Sequence, residues 1–152
     1  MKRFLRIAGL ALLALLVLLQ LIPIRRDNPT ISQEVQWDSA DTQALAQRAC
    51  FDCHSNETVW PWYSYVAPVS LYLANHVQEG RDRLNFSAWD QPNESFAEIE
   101  KVINRGEMPL WDYLLMHPEA ALSDAEQEAL IAGLRATLAN DPPIERQRPS
   151  RP

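Results

Sequence analysis

An all-α domain behind one N-terminal apolar helix is what this sequence predicts, on three observations. Residues Ile7 to Leu19 are apolar apart from the neutral Gly9, and after Gln20 the run resumes with Leu21, Ile22 and Ile24. The whole chain holds only four glycines, and alternation of the strand type is scarce. Beyond the first run, apolar side chains recur at the three- and four-residue spacing of a helix face.

The first helix is expected to be a membrane anchor. Its roughly eighteen residues rise about 27 Å, close to the ~30 Å of a bilayer core. The run closes on Leu-Ile-Pro-Ile-Arg-Arg without the small-residue pattern of a cleavage site, which favours retention over removal as a signal peptide. Lys2, Arg3 and Arg6 precede it, whereas Arg25 and Arg26 are trailed by Asp27. That bias favours a cytoplasmic N-terminus with the remainder exported, as in a single-pass protein of a bacterial inner membrane facing the periplasm.

Charge separates the two parts. All five basic residues of positions 1–26 stand without an acidic one, which leaves 9 basic against 20 acidic residues downstream, a balance of −11. Such an acidic domain argues against nucleic acid or anionic lipid as a partner and suits a basic partner protein. We expect an anchor over 1–26, a linker over 27–35, one domain over 36–140 and a proline-rich disordered tail over 141–152.

Within the domain, Ser39 or Asp41 can cap a helix carrying Leu45 and Ala49 toward Cys50. A second helix starts near Pro68, places Val69, Leu73, His76 and Val77 on one face and is expected to end at Gly80. Ser95 with Glu98 resembles a capping box ahead of Ile99, Val102 and Ile103, with Gly106 as the stop. Ser123 with Glu126 opens the last helix, which carries Leu130, Ile131, Leu134 and Leu138 to Asn140. The turns between these helices hold most of the Trp, Tyr and Pro residues, so something must organise them.

The two cysteines lie in Cys50-Phe51-Asp52-Cys53-His54. A thioredoxin-like dithiol needs a helix beginning at the first cysteine, and here a helix ends there. A zinc site needs four ligands, yet only His76, His117 and carboxylates remain, without a second knuckle. A plain disulfide leaves the adjacent histidine unexplained. Cys-x-x-Cys-His reads as attachment of one haem c, with thioethers from Cys50 and Cys53 to the two vinyl groups and His54 on the iron. A thiol or metal role is the alternative. A covalently held apolar disc would also give the aromatic loops a surface to cover.

For the second axial position we expect Met108 of Gly106-Glu107-Met108-Pro109, a soft sulfur donor on a turn that Gly106 frees and Pro109 stiffens, with Trp111 over the ring edge. His76 is the rival, ahead of His117, Met116 or an open position; His117, before Pro118, reads better as ordering a turn.

Several ordered stretches strengthen this reading: Cys50 to His54 followed by Ser-Asn-Glu-Thr-x-Trp-Pro-Trp-Tyr-Ser, then Ala67-Pro68-Val69-Ser70, Glu79-Gly80-Arg81, Leu84-Asn85-Phe86-Ser87-x-Trp89, Gly106 to Pro109, and Leu115 to Ala120. Together they resemble the bacterial haem-binding domain family related to cytochrome c, over essentially residues 36 to 139. The resemblance implies a cytochrome-c-like helical domain around a single haem, exported and often anchored by one N-terminal helix. Where the family often has a second proline after Met-Pro, this chain has Leu110. Among family-matching residues, Asn56, Glu57 and Thr58 suit an ordered turn after His54. Arg81 suits a propionate contact, since its guanidinium meets carboxylates bidentately. Trp60, with Trp62, Trp89 and Trp111, suits haem packing.

The function expected is transfer of single electrons by a membrane-anchored monohaem c-type cytochrome without catalytic residues. A haem peroxidase or a gas or redox sensor, which needs an exchangeable distal position, is the alternative.

Overall fold

The structure is a computed structural model, and it describes residues 1–146. Seven α-helices occur among the described residues: α1 Lys2–Gln20, α2 Ala40–Ala49, α3 Phe51–His54, α4 Val69–Arg83, α5 Phe96–Asn104, α6 Trp111–Met116 and α7 Asp124–Asn140. Two 3-10 turns, Trp62–Tyr65 and Pro118–Ala120, and two short strands, β1 Pro92–Asn93 and β2 Ile144–Glu145, complete the order. The fold is all-α with an apolar N-terminal helix, as the residue pattern predicts.

Helix α1 buries none of its residues against the rest of the chain and has a mean hydropathy of 1.9, long and apolar enough to cross a membrane. The domain behind it packs α7 against α2 and α5, while α3 lies on α4. Ser39 accepts from the Thr42 backbone at the start of α2, and Ser123 and Glu126 form a reciprocal capping box at the start of α7. Ser95 stands at the cap position of α5 but its hydroxyl caps no backbone N–H, so the expected box there is not formed. Gly106 ends α5 at φ 65°. Its N–H donates to Ile103 O (2.9 Å) and that of Glu107 to Val102 O (3.0 Å), the two bonds of a Schellman stop.

Three expectations are corrected. Gly80 does not end the second helix, which runs on to Arg83. There, glycine answers a packing need: a Cβ at Gly80 would lie 2.4 Å from Cys53 O. The stretch 27–35 is no free linker. Its backbone runs along the 86–89 loop, with Val35 N–H donating to Phe86 O (3.2 Å) and Trp89 N–H to Gln33 O (2.9 Å), and Val35 is buried. An irregular loop must pair its main-chain groups somewhere, and this segment supplies the partners. Of the expected disordered tail, Ile144–Glu145 pair in parallel with Pro92–Asn93. The rest of that tail, 147–152, lies outside the described residues.

The core centres on Phe86, whose ring lies 5.1 Å from Trp37, 5.7 Å from Phe51 and 6.2 Å from Trp89. Leu130 and Leu134 of α7 and Ile99 and Ile103 of α5 close it from the other side. Helices α2 and α7 touch at Gly133, where a Cβ would stand 2.0 Å from Thr42 Oγ1 and 2.7 Å from its Cγ2. Gly133→Ala, favourable for helix propensity alone, is therefore expected to destabilise the domain by about 2–3 kcal/mol. Adding Thr42→Ala recovers about 1 kcal/mol of this, as a denaturant double-mutant cycle would read.

Candidate functional site

Helix α2 stops at Ala49 and α3 restarts at Phe51, so Cys50 sits at the kink between them, outside regular helical angles at φ −126°, ψ −34°. His54 N–H donates to Cys50 O (2.9 Å), which winds the five-residue motif into a single turn. Cys50, Cys53 and His54 thereby line one face of a cleft of about 550 Å³. The volume falls within the range of small-molecule and cofactor pockets.

The His54 imidazole is held from α4. Its Nδ1 lies 3.1 Å from Gly80 O and 3.0 Å from Leu84 O, both acceptors only, so Nδ1 carries the proton and Nε2 keeps its lone pair. Desolvation by burial lowers the His54 pKa, outweighing the two carbonyls, which raise it. The ring is accordingly neutral near pH 7, the state in which imidazole binds a metal. Behind it, His54 O accepts from Phe86 N–H (2.8 Å), and a buried network fixes that loop. Asn85 Nδ2 donates to Asn56 Oδ1 (2.9 Å), Asn85 N–H to Asn93 Oδ1 (2.6 Å) and Asn56 N–H to Ser87 Oγ (3.1 Å).

Cys50 and Cys53 are both free thiols. Burial, with the second cysteine nearby, pushes Cys50 up to about 12. Burial and then Asp52 push Cys53 up to about 11. Redox dithiols need the opposite shift, because the thiolate is the nucleophile. Among the described residues no group of three His, Cys, Asp or Glu side chains is placed to hold a metal ion.

Met108 lines the same cleft, delivered by the turn after Gly106. His76 lines it too, one turn before Gly80 on α4, with its ring 4.2 Å from that of Tyr72. The walls between are apolar, with Ile99, Val102 and Ile103 from α5 and Leu130 and Leu134 from α7. His117 lies outside the cleft lining and orders a turn: its Nε2 is 2.8 Å from Tyr63 Oη and its Nδ1 3.2 Å from Glu119 Oε1. Met116 is exposed and also outside the lining.

Arg81, expected at a propionate, is not brought to the cleft. Its Nε donates to Ser55 O (2.8 Å), Nη1 to Asp27 O (3.0 Å), and Nη2 to Asn28 Oδ1 (2.9 Å) and Thr58 Oγ1 (2.8 Å). It staples the entry segment to the turn after His54. Trp60 does not line the cleft either, and its buried Nε1 has no hydrogen-bond partner among the described residues. Trp111 is 75% exposed rather than folded over an edge of the site.

Two contributors have little sequence signal. Tyr113 of α6 lines the cleft and donates from Oη to Asp52 Oδ2 (2.7 Å), while Asp52 Oδ1 accepts from Val59 N–H (2.9 Å). The residue between the cysteines thus ties the Met108-bearing segment to the histidine turn. Burial and the Asp52 bond raise the Tyr113 pKa, so the phenol stays a donor. An acidic residue inside the cysteine pair was the one hint of such a tie. The two carbonyls that orient His54 are main-chain groups and leave no mark in residue type.

A planar apolar cofactor with one iron fits these donors: a neutral imidazole with Nε2 free, two thiols beside it, a thioether in the same lining and aliphatic sides. No curated protein and no solved structure matches the chain. A family described as a haem-binding domain matches residues 14–136, which takes in the end of α1, the histidine turn, the Met108 turn and most of α7. With that match and a cleft whose donors suit haem, the chain belongs to the haem-binding domain family.

Proposed function

We propose that this haem-binding protein attaches one haem c covalently and passes single electrons outside the cytoplasm, held to the membrane by α1. The observation that carries this reading is the convergence of Cys50, Cys53, His54 and Met108 on one apolar cleft, with the histidine tautomer set by Gly80 O and Leu84 O. When bound, haem supplies an iron that gains or loses one electron without bond breaking.

The chain's own residues do the rest. Cys50 and Cys53 would hold the porphyrin edge as thioethers. His54 presents Nε2 along a direction fixed by α4. Met108 would offer the iron a soft sulfur, and Ile99, Val102 and Leu134 would keep water from it. The domain's −11 balance favours a basic redox partner through long-range attraction, which high salt would weaken.

Visible absorption spectra of the full chain, matured in cells that assemble c-type cytochromes, test the distal assignment. The ferric protein is expected to show the weak long-wavelength band of methionine sulfur on iron, and Met108→Ala to lose it and gain carbon monoxide binding in the ferrous state. If the band is missing and wild-type protein binds carbon monoxide readily, the position is open and a peroxidase or sensor role replaces electron transfer. If the band is missing and ligands stay excluded, with His76→Ala opening the site, the axial pair is His54 and His76.

A further inference from the structure

Outside α1, the exposed apolar residues concentrate next to its end. Trp62 is 75% exposed, Tyr65 58%, Val66 45% and Val69 43%, all within the first 3-10 turn and the start of α4. Gln20, the last residue of α1, grips this segment through both main-chain polar groups of Ala67. Its Nε2 donates to Ala67 O (3.4 Å) and its Oε1 accepts from Ala67 N–H (3.2 Å). Six residues on, Arg26 Nη1 donates to Ser64 O (3.3 Å), with its guanidinium 4.5 Å from the Tyr65 ring centre.

We propose that this patch seats in the phospholipid headgroup region of the membrane where α1 emerges, so that the domain is fixed on the bilayer rather than swinging from a tether. The inference rests on reading α1 as a membrane span. Nineteen residues of helix rise about 28 Å, which puts Gln20 at the edge of a ~30 Å hydrocarbon core. A segment hydrogen-bonded to Gln20 then lies at the interface by geometry.

The chemistry of the patch matches that depth. Trp and Tyr rings are apolar bodies with a polar tip and collect at the headgroup level. Arg26, whose guanidinium lies over Tyr65, suits a lipid phosphate, against the acidic balance of the rest of the domain. Proximity separates lipid from a soluble protein as occupant, since a surface tied to a span meets lipid at a high effective concentration at all times. From Val69 at the patch to Gly80 behind His54, α4 rises about 16 Å, so the cleft is held close to the membrane plane and is open to partners that work there.

The holoprotein, full length, in vesicles of phosphatidylcholine and phosphatidylglycerol doped with a phosphatidylcholine carrying a diazirine near its headgroup, tests this. After illumination, mass spectrometry maps lipid adducts. Adducts are expected on α1 and on the 62–69 peptide, the latter at about ten times the yield of the 124–140 peptide, α7, which packs on α2 and α5 rather than on the patch. Adducts on α1 with a 62–69 yield no higher than that of 124–140 overturn the inference and leave the span intact. Absence of adducts on α1 overturns the span and this inference with it. Crosslinks between two copies at 62–69, without lipid adducts there, assign the patch to self-association and overturn it as well.

Discussion

Cys50→Ala/Cys53→Ala is expected to convert a protein that keeps all of its haem through extraction with acidified organic solvent into one that loses all of it. Both thiols stand on the cleft wall beside His54, so either can reach the edge of a ring ligated there. On the proposed reading, the double variant would lack the thioethers but keep His54 and Met108 as donors, and haem binding would become a reversible equilibrium. Stability then follows ligand concentration: about 2.7 kcal/mol at a hundredfold excess over Kd, and nothing when haem is withheld. The Tm of the double variant should therefore rise with added haem, whereas that of the wild type should not. Retention by the double variant, or complete extraction from the wild type, would refute covalent attachment while leaving membership of the haem-binding family untouched.

Gly80→Ala is the second large effect, and its sign is diagnostic. In the middle of a helix this exchange ordinarily stabilises by about 1 kcal/mol, because alanine is the better helix former. Here the added Cβ would stand 2.4 Å from Cys53 O and 3.1 Å from Cys53 Cβ, so α4 and α3 must separate. Gly80 O and Leu84 O, which set the His54 tautomer, move with α4. We expect a loss of about 2–4 kcal/mol and a fall in Tm of about 10 °C, together with poor incorporation of haem. Gly9→Ala, at a glycine with open space around it, is the control and should leave both readouts unchanged. A Gly80→Ala protein as stable as wild type and fully loaded would mean that the histidine turn is not braced by α4.

The two substitutions probe different kinds of information. Cysteine spacing and the following histidine are local, and local geometry alone brings the three side chains to one face, as the Cys50 O to His54 N–H bond shows. The capping box at Ser123 and the stop at Gly106 are legible for the same reason, since each is closed by residues at most five apart. Met108 stood out as a soft donor on a glycine-freed turn, and the structure brings it to the cleft lining. Helix α6, six residues long, escaped because so short a segment carries no readable period.

Arg81 shows the limit from the other side. Its residue type, suited to carboxylates, pointed to a propionate, yet four acceptors from residues 27, 28, 55 and 58 take up the guanidinium, which does not line the cleft. Trp60 and Trp111 likewise looked like haem-packing rings, but one is turned into the protein and the other into solvent. Which way a side chain faces is settled by the partners available on each side, and those come from distant parts of the chain.

By itself, then, the sequence determined the helical class, the apolar first helix, and the cap at Ser123 and stop at Gly106, because each depends on chemistry repeated or paired within a few residues. Only the tertiary structure decided that Gly80 is a contact point and not a helix end, that Asp52 and Tyr113 latch the two sides of the cleft, and that Phe86 is the hub beneath it. Those roles arise from close approach between segments 26 to 61 residues apart, where packing density and the need to pair every buried polar group choose the partner, and residue type states only what that partner must be able to do.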